Sequence, residues 1–196
     1  FNGGSALAAD GNAAMAILVT HVSAAAGAAT WALVEWIRYG KPSALGTVTG
    51  MVAGLGTITP ASGFVGPGGA LVIGVLAGFI CFNATNFIKR KLGIDDSLDV
   101  FPVHGVGGIL GTLLAGIFAS SALGVFSGQG FASPEITIGS QMLVQATGVL
   151  ATMVYTAIVS YVLLKLVGML VGLRVAPDEE TVGLDLTLHN ERGYDL

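Results

Sequence analysis

Five apolar stretches alternate with short polar connections along the chain, at about 13–39, 43–59, 67–90, 98–121 and 135–172. Each is predicted as a helix, because none shows the ten-residue alternation of apolar and polar positions that marks a membrane β-strand. Four are long enough for the roughly 20 residues that cross a hydrocarbon core. The second lies between Pro42 and Pro60 and is short, so it is expected to tilt little or to be shielded by neighbours. The fifth overshoots a core of about 30 Å and must tilt, bend or project into water. Residues 1–12 form a stub that resembles the end of an earlier element, so the chain is taken as part of a longer polypeptide. Residues 173–196 are polar and are expected to be a soluble tail of marginal order.

Composition agrees with this pattern. Only 10% of the 196 residues are charged and 53% are hydrophobic, with a mean hydropathy of +0.80; soluble domains carry about 25% charge. The expected class is an all-α, polytopic membrane protein. The 30 glycines lack a collagen period and suit close approach of membrane helices. The net charge of −4 says little, since the tail holds Asp178, Glu179, Glu180, Asp185, Glu191 and Asp195. Nothing points to nucleic acid. Cys81 is the single cysteine, which excludes a disulfide framework. No metal-ligand spacing, phosphate loop or nucleophile–base pair is visible, so neither a metal, a cofactor nor an enzyme is expected.

Basic residues set an orientation. Arg38 and Lys41 follow the first stretch, Lys89, Arg90 and Lys91 the third, and Arg174 the fifth; the connections after the second and fourth hold no Lys or Arg. The positive-inside rule places the first set in the cytoplasm. Five spans then put the chain start outside and the tail in the cytosol.

The sharpest candidate chemistry is Asp99-Val-Phe-Pro-Val-His104-Gly-Val-Gly-Gly-Ile-Leu-Gly111, which leads into a chargeless run to Pro134. A histidine inside a membrane faces the bundle interior or a cavity. Gly105, Gly107, Gly108 and Gly111 remove bulk around it, as if something small passes close by. A hydrogen bond to a neighbouring helix is the equal alternative. Asp99 is expected to cap this helix, with Pro102 in its first turn; an earlier start bent at Pro102, or a sunken preceding loop, are the alternatives. His21 reads as a structural contact, and Glu35 and Arg38, three apart, as a pair. Gly46, Gly50 and Gly54 form a flat stripe for helix contact, repeated at Gly74 and Gly78. Asn83 and Asn86 are expected to hydrogen-bond between helices.

Several stretches resemble one family: FNGGSALAADG, THVSAAAGAATWALVEWIRYGKPSALG, ITPASGFVGP, DDSLDVFPVHGVGGILGTLLAGIFA and the tail GLRV…GLDLTLHNERGYDL. They resemble the ammonium transporters, the Amt/Mep branch of the superfamily that includes the Rhesus proteins. The resemblance implies an eleven-helix, inverted-repeat fold that assembles as a homotrimer with a pore in each subunit. This chain is then its second half: the outer tip of helix six with an extracellular turn, five helices and the cytoplasmic tail. Phe1 matches one of two phenylalanines that close the pore from outside. Ser5 matches a serine of the outer ammonium site, and His104 the second of two pore histidines. Asp99 matches an acid with a structural role near the pore. Pro102 stands where many relatives have glycine. The resemblance also implies that the N-terminal half supplies the other pore residues, and that a PII-type signalling protein can block the cytoplasmic side. Asp185, Thr187 and Tyr194 match tail positions with a regulatory part.

The implied chemistry is consistent with the residues. A bare buried cation is expensive, and cation–π contact at a pore mouth offsets part of that cost. A neutral imidazole offers one donor and one acceptor, enough to hydrogen-bond ammonia or relay a proton in a hydrophobic pore. The expected function is ammonium/ammonia transport across a plasma membrane, with a bacterial inner membrane favoured. An ammonium sensor of the same fold, identified by an extra signalling domain, and a Rhesus-type gas channel are the alternatives.

Overall fold

The computed structural model describes residues 1–193, and among these every regular element is helical. The longer helices are α1 (Gly11–Tyr39), α2 (Ala44–Ile58), α3 (Pro67–Asn86), α4 (Gly107–Phe118) and α5 (Ile138–Leu170), followed by the short α6 (Pro177–Val182) and α7 (Leu184–His189). A π-helical turn, Phe87–Lys91, continues α3, and another, Phe101–Val106, leads into α4. Four helical segments are long and apolar enough to cross a membrane: Gly11–Tyr39, Pro67–Lys91, Phe101–Phe118 and Ile138–Leu170. The fifth apolar helix, α2, has 15 residues and is only about 22 Å long at 1.5 Å per residue.

Local signals set the helix ends. The Asp10 side chain accepts from the Asn12 and Ala13 N–H groups and starts α1. Gly40, at φ +80°, ends it in the left-handed conformation that glycine adopts freely. Ser43 caps α2 through the Gly46 N–H. Pro67 sits at the start of α3, where its missing N–H costs nothing.

The chain divides into two compact units, Phe1–Val149 and Leu150–Leu196. In the first, α1 packs against both α2 and α3. Lipid gives helices no hydrophobic reason to associate, so small residues that allow close backbone approach dominate such contacts. Gly54 lies on the Ser23 backbone and Gly50 on Trp31, while Gly27 faces Gly50 and Gly54 in return. Gly74 meets Ser23 and Ala26, and Gly78 meets Gly27 and Thr30. Ser23 and Gly27 of α1 thus serve both neighbours. The buried Ser23 hydroxyl donates to the Gly54 carbonyl at 2.9 Å. Around this junction are one apolar cluster with Val19, Ile58, Val65 and Ile73, and another with Trp31, Ala53, Phe82 and Val103.

Three polar pairings hold the basic end, with partners that the spacing did not show. Glu35 does not pair with Arg38. Its carboxylate accepts from the Ser43 N–H at 2.7 Å and from the Ser43 hydroxyl, because the chain reverses at Gly40 and brings the start of α2 back to it. Arg38 instead donates to Asn83 Oδ1 at 2.7 Å, and the Tyr39 hydroxyl donates to Asn86 Oδ1 at 3.1 Å. Both asparagines therefore bond between helices as expected.

In the second unit, the residues after α5 form α6 and α7 in place of a tail without regular structure. Arg174 reaches Glu180 through Nε at 3.1 Å and Nη2 at 2.8 Å. That guanidinium holds the exposed Glu180 carboxyl below the usual glutamate range. The Thr187 hydroxyl donates to the Gly183 carbonyl at 3.0 Å, and the Asp185 carbonyl accepts from the Glu191 N–H at 2.9 Å. Tyr194 lies outside the described residues.

Candidate functional site

The π-helical turn that carries His104 is started by Asp96, not Asp99. The Asp96 carboxylate accepts from the Val100 and Phe101 N–H groups, each at 2.8 Å. These two bonds, Phe101 first, hold its carboxyl below the usual aspartate range, and Lys89 adds to the effect. Asp99 cannot act in this way. At φ +56° it occupies the left-handed region, and its carboxylate meets Lys89 Nζ at 2.8 Å. It ties the turn before α4 to the end of α3. Pro102 is buried within the first turn of the helix.

From this start, Pro102 and Val103 turn inward and the His104 ring turns outward to an exposed position. Among the described residues, none hydrogen-bonds to that ring. Its Nδ1 borders Gly56 of α2, where an added Cβ would lie 3.8 Å away, an ordinary contact. The glycines that follow divide by role. Gly111 rests on the Thr57 carbonyl, and Gly107 faces the Thr57 hydroxyl and the Cys81 thiol, so these two seat α4 on α2 and α3. Gly105 is covered by the Phe101 ring. Gly108 has nothing within 4 Å of a Cβ position. Open space along this face therefore comes from Gly108, while Gly56, not singled out by its sequence, lets α2 and the His104 ring meet at ordinary contact distance.

The chain start lies at the C-terminal end of α2, beyond Gly56. Asn2 donates to Thr20 Oγ1 at 3.0 Å and to Thr59 Oγ1 at 3.4 Å. The Ser5 hydroxyl donates to the Phe1 carbonyl at 3.1 Å, and the Phe1 ring is fully exposed. Ser5 lines a cavity of about 460 Å³ with Asn2, Asn12, Thr59, Ser62 and Gln129. Gln129 arrives from the connection after α4, whose backbone is pinned by Gln129 N–H to the Phe64 carbonyl at 2.9 Å. The polar walls of this cavity, apart from Ser5, were missed by sequence reasoning; the Thr-Ile-Thr-Pro ending of α2 was the available signal. Thr59 is three residues from Gly56, about 4.5 Å along a helix axis. Thr59, on the wall of the Ser5 cavity, and Gly56, beside His104, thus stand about one turn apart along the chain of α2. His21 is exposed, and its Nδ1 lies 2.8 Å from the carbonyl of Ile17 in its own helix.

The chain as a whole has recognisable relatives. It is 47% identical over 203 residues to a putative ammonium transporter of Methanothermobacter thermautotrophicus, covering all of this chain and 48% of that protein. It is 43% identical to the ammonium transporter of Bacillus subtilis, over 99% of this chain and 47% of that one. The chain spans about half the length of the curated relatives it matches. Among solved structures, a Sensor Amt Protein superposes with a TM-score of 0.85 at 30% identity, over 95% of this chain and 44% of that one. Saccharomyces cerevisiae Mep2 gives 0.78 at 36%, over 90% and 40%. A model of the ammonium transporter family matches residues 1–194, and the chain belongs to that family.

Proposed function

We propose that the transporter containing this chain moves ammonium or ammonia across the plasma membrane through an apolar path bordered by His104. The observation that carries this reading is the His104 ring itself. It is exposed on the bundle surface, bonded to none of the described residues, bordered by Gly56, and one helical turn from the open position at Gly108. A ring serving as a strut between these helices would be buried and hydrogen-bonded.

On this reading, water-free passage selects for the species that sheds charge most cheaply. A desolvated cation is costly in an apolar path, whereas neutral ammonia needs only a hydrogen-bond partner. The His104 imidazole supplies a donor or an acceptor to it. Ser5, with its cavity, and the exposed Phe1 ring stand at the outer mouth, where an aromatic face attracts a cation. Asp99 has a structural role, holding the turn beneath His104 through Lys89. The N-terminal half supplies the rest of the path, so the chain by itself does not transport. The five apolar helices cross the membrane with Arg38, Lys41, Lys89, Arg90, Lys91 and Arg174 inside, which places the chain start outside and the tail in the cytoplasm. The complete protein is a homotrimer, and its tail, through Asp185, Thr187 and Tyr194, meets neighbouring subunits and a PII-type partner. A phosphate on Thr187 would break that docking.

The test is His104→Ala in the complete protein reconstituted in liposomes. Electrogenic ammonium current is expected to fall, or its discrimination against potassium to be lost. Unchanged current and selectivity would overturn the reading. A second reading, an ammonium sensor, draws on the superposition with the Sensor Amt Protein. Ammonium binding with no current from the unaltered protein would favour it. Uptake of carbon dioxide in preference to methylammonium would favour a Rhesus-type channel.

A further inference from the structure

The connection after α4 carries an apolar knob that the transport path does not use. A 3-10 turn, Gly124–Phe126, displays Val125 at 82% exposure and Phe126 at 41%. Side chains of this kind gain by leaving water. The turn that presents them is held firmly. The Leu123 N–H donates to Ser127 Oγ at 2.9 Å, and that hydroxyl donates to the Ser121 carbonyl at 2.9 Å. The N–H groups of Gly128, Gln129 and Gly130 donate to the carbonyls of Ser120, Phe64 and Ala119 at 2.9, 2.9 and 2.7 Å. A connection built for water can leave such groups to the solvent. This one satisfies them internally, as backbone close to hydrocarbon must. No charged residue occurs between Gly105 and Pro134.

Helix length sets the level of the knob. It packs on the first turn of α3, where a Cβ added to Gly68 would meet the Val125 carbonyl oxygen and lie 3.3 Å from Phe126 Cδ1. Gly68 stands about 32 Å from Lys89 at 1.5 Å per residue, and a hydrocarbon core is about 30 Å thick. With Lys89 at one edge of the core, Gly68 lies at the other, and any tilt draws it inward. Leu71, Val75 and Phe79 are exposed on the same helix. At 100° per residue they share with Gly68 an arc of about 80°. Val125 and Phe126 thus stand at the head of one apolar stripe on a membrane-spanning segment. We infer that the turn is a membrane anchor, with Val125 and Phe126 seated among the acyl chains of the leaflet opposite Lys89. The partner is the apolar part of the lipid surface, since the turn offers a headgroup no charge. A second copy of the chain on the same stripe is the competing occupant. The inference rests on the chain crossing a membrane and not on what the protein transports.

The test places a nitroxide label on Val125→Cys in the complete protein, reconstituted in phosphatidylcholine vesicles. Electron paramagnetic resonance then compares its collisions with oxygen, which concentrates in lipid, and with a neutral nickel chelate, which stays in water. Val125 is largely bare, so its replacement removes little packing, and Cys81 is fully buried. A label on Asp95→Cys, in the polar connection before α4, gives the value for water, and a phosphatidylcholine labelled on its acyl chain gives the value for lipid. The oxygen-to-nickel ratio at Val125 should exceed that at Asp95 several-fold and approach that of the labelled lipid. It should be the same in phosphatidylglycerol vesicles, because no headgroup charge is involved. A ratio equal to that at Asp95 would put the turn in water and overturn the inference. Shielding from both reagents would seat another protein surface on the turn and would overturn it as well. A lipid-like ratio in a preparation without transport activity would leave it standing.

Discussion

Gly54 and Gly56 lie two residues apart on α2, and replacing each with alanine separates close helix contact from helix propensity. Alanine favours a helix over glycine by about 1 kcal/mol, a gain common to both variants. Their surroundings differ. At Gly54 a Cβ would run into the Ser23 carbonyl oxygen and lie 2.9 Å from the Ser23 carbonyl carbon and 3.0 Å from Ala24 Cα, all of them backbone. Ordinary contact begins near 3.4 Å. To restore it, α1 and α2 must part by about an ångström, a gap that forfeits about half of each dispersion contact along the seam. The Ser23 hydrogen bond to the Gly54 carbonyl would stretch with it. At Gly56 the nearest atoms, His104 Nδ1 and the Val103 carbonyl oxygen, stand 3.8 Å away and need not move. Overpacking of a filled core costs about 1–3 kcal/mol, so Gly54→Ala should be less stable than Gly56→Ala by that amount. The comparison is made on the complete protein in detergent, by equilibrium unfolding in a denaturing surfactant or by thermal loss of the folded state. Equal stability, or the reverse order, would refute the account of α1 and α2 as a backbone-to-backbone seam.

Three further outcomes follow from the geometry. Asp96→Ala removes both acceptors at the start of the turn before His104, so amide hydrogen exchange at Val100 and Phe101 should accelerate while α1 is unaffected; unchanged protection would return the capping role to another residue. The Asp96 carboxyl is held below its ordinary range, so its contribution is complete above that range and is lost as pH falls through the lowered value. Protection at the same two amides should therefore survive mild acid and fail only in strong acid. Glu180 follows the same sign: its pairing with Arg174 should persist below the pH at which a free glutamate protonates, and Glu180→Gln should remove the acid-dependent step from the nuclear magnetic resonance titration of the Arg174 side chain. Gly108→Leu fills the open position one turn beyond His104 and should reduce ammonium current with little loss of folded protein; full current in that variant would count against a path at this face.

Hydropathy determined the class of this protein. Long apolar runs with charged ends admit little besides membrane helices, because every backbone polar group in hydrocarbon must be satisfied within its own segment. The same runs placed α1, α3 and α5, and the motif around His104 pointed to the family. These signals are local, and local geometry repeats wherever the residues recur. Partner choice was different. Glu35 has Arg38 within one turn, yet it serves Ser43, since a left-handed Gly40 folds α2 back onto it. Asp99 stands where a cap is expected, yet its own left-handed backbone hands that role to Asp96 and turns its carboxylate to Lys89. Among the glycines near His104, residue type alone did not separate Gly107 and Gly111, which seat a helix, from Gly108, which borders open space. A side chain answers to whatever the fold brings within about 3 Å of it, and that is settled by chain reversals and helix seams, not by spacing along the chain.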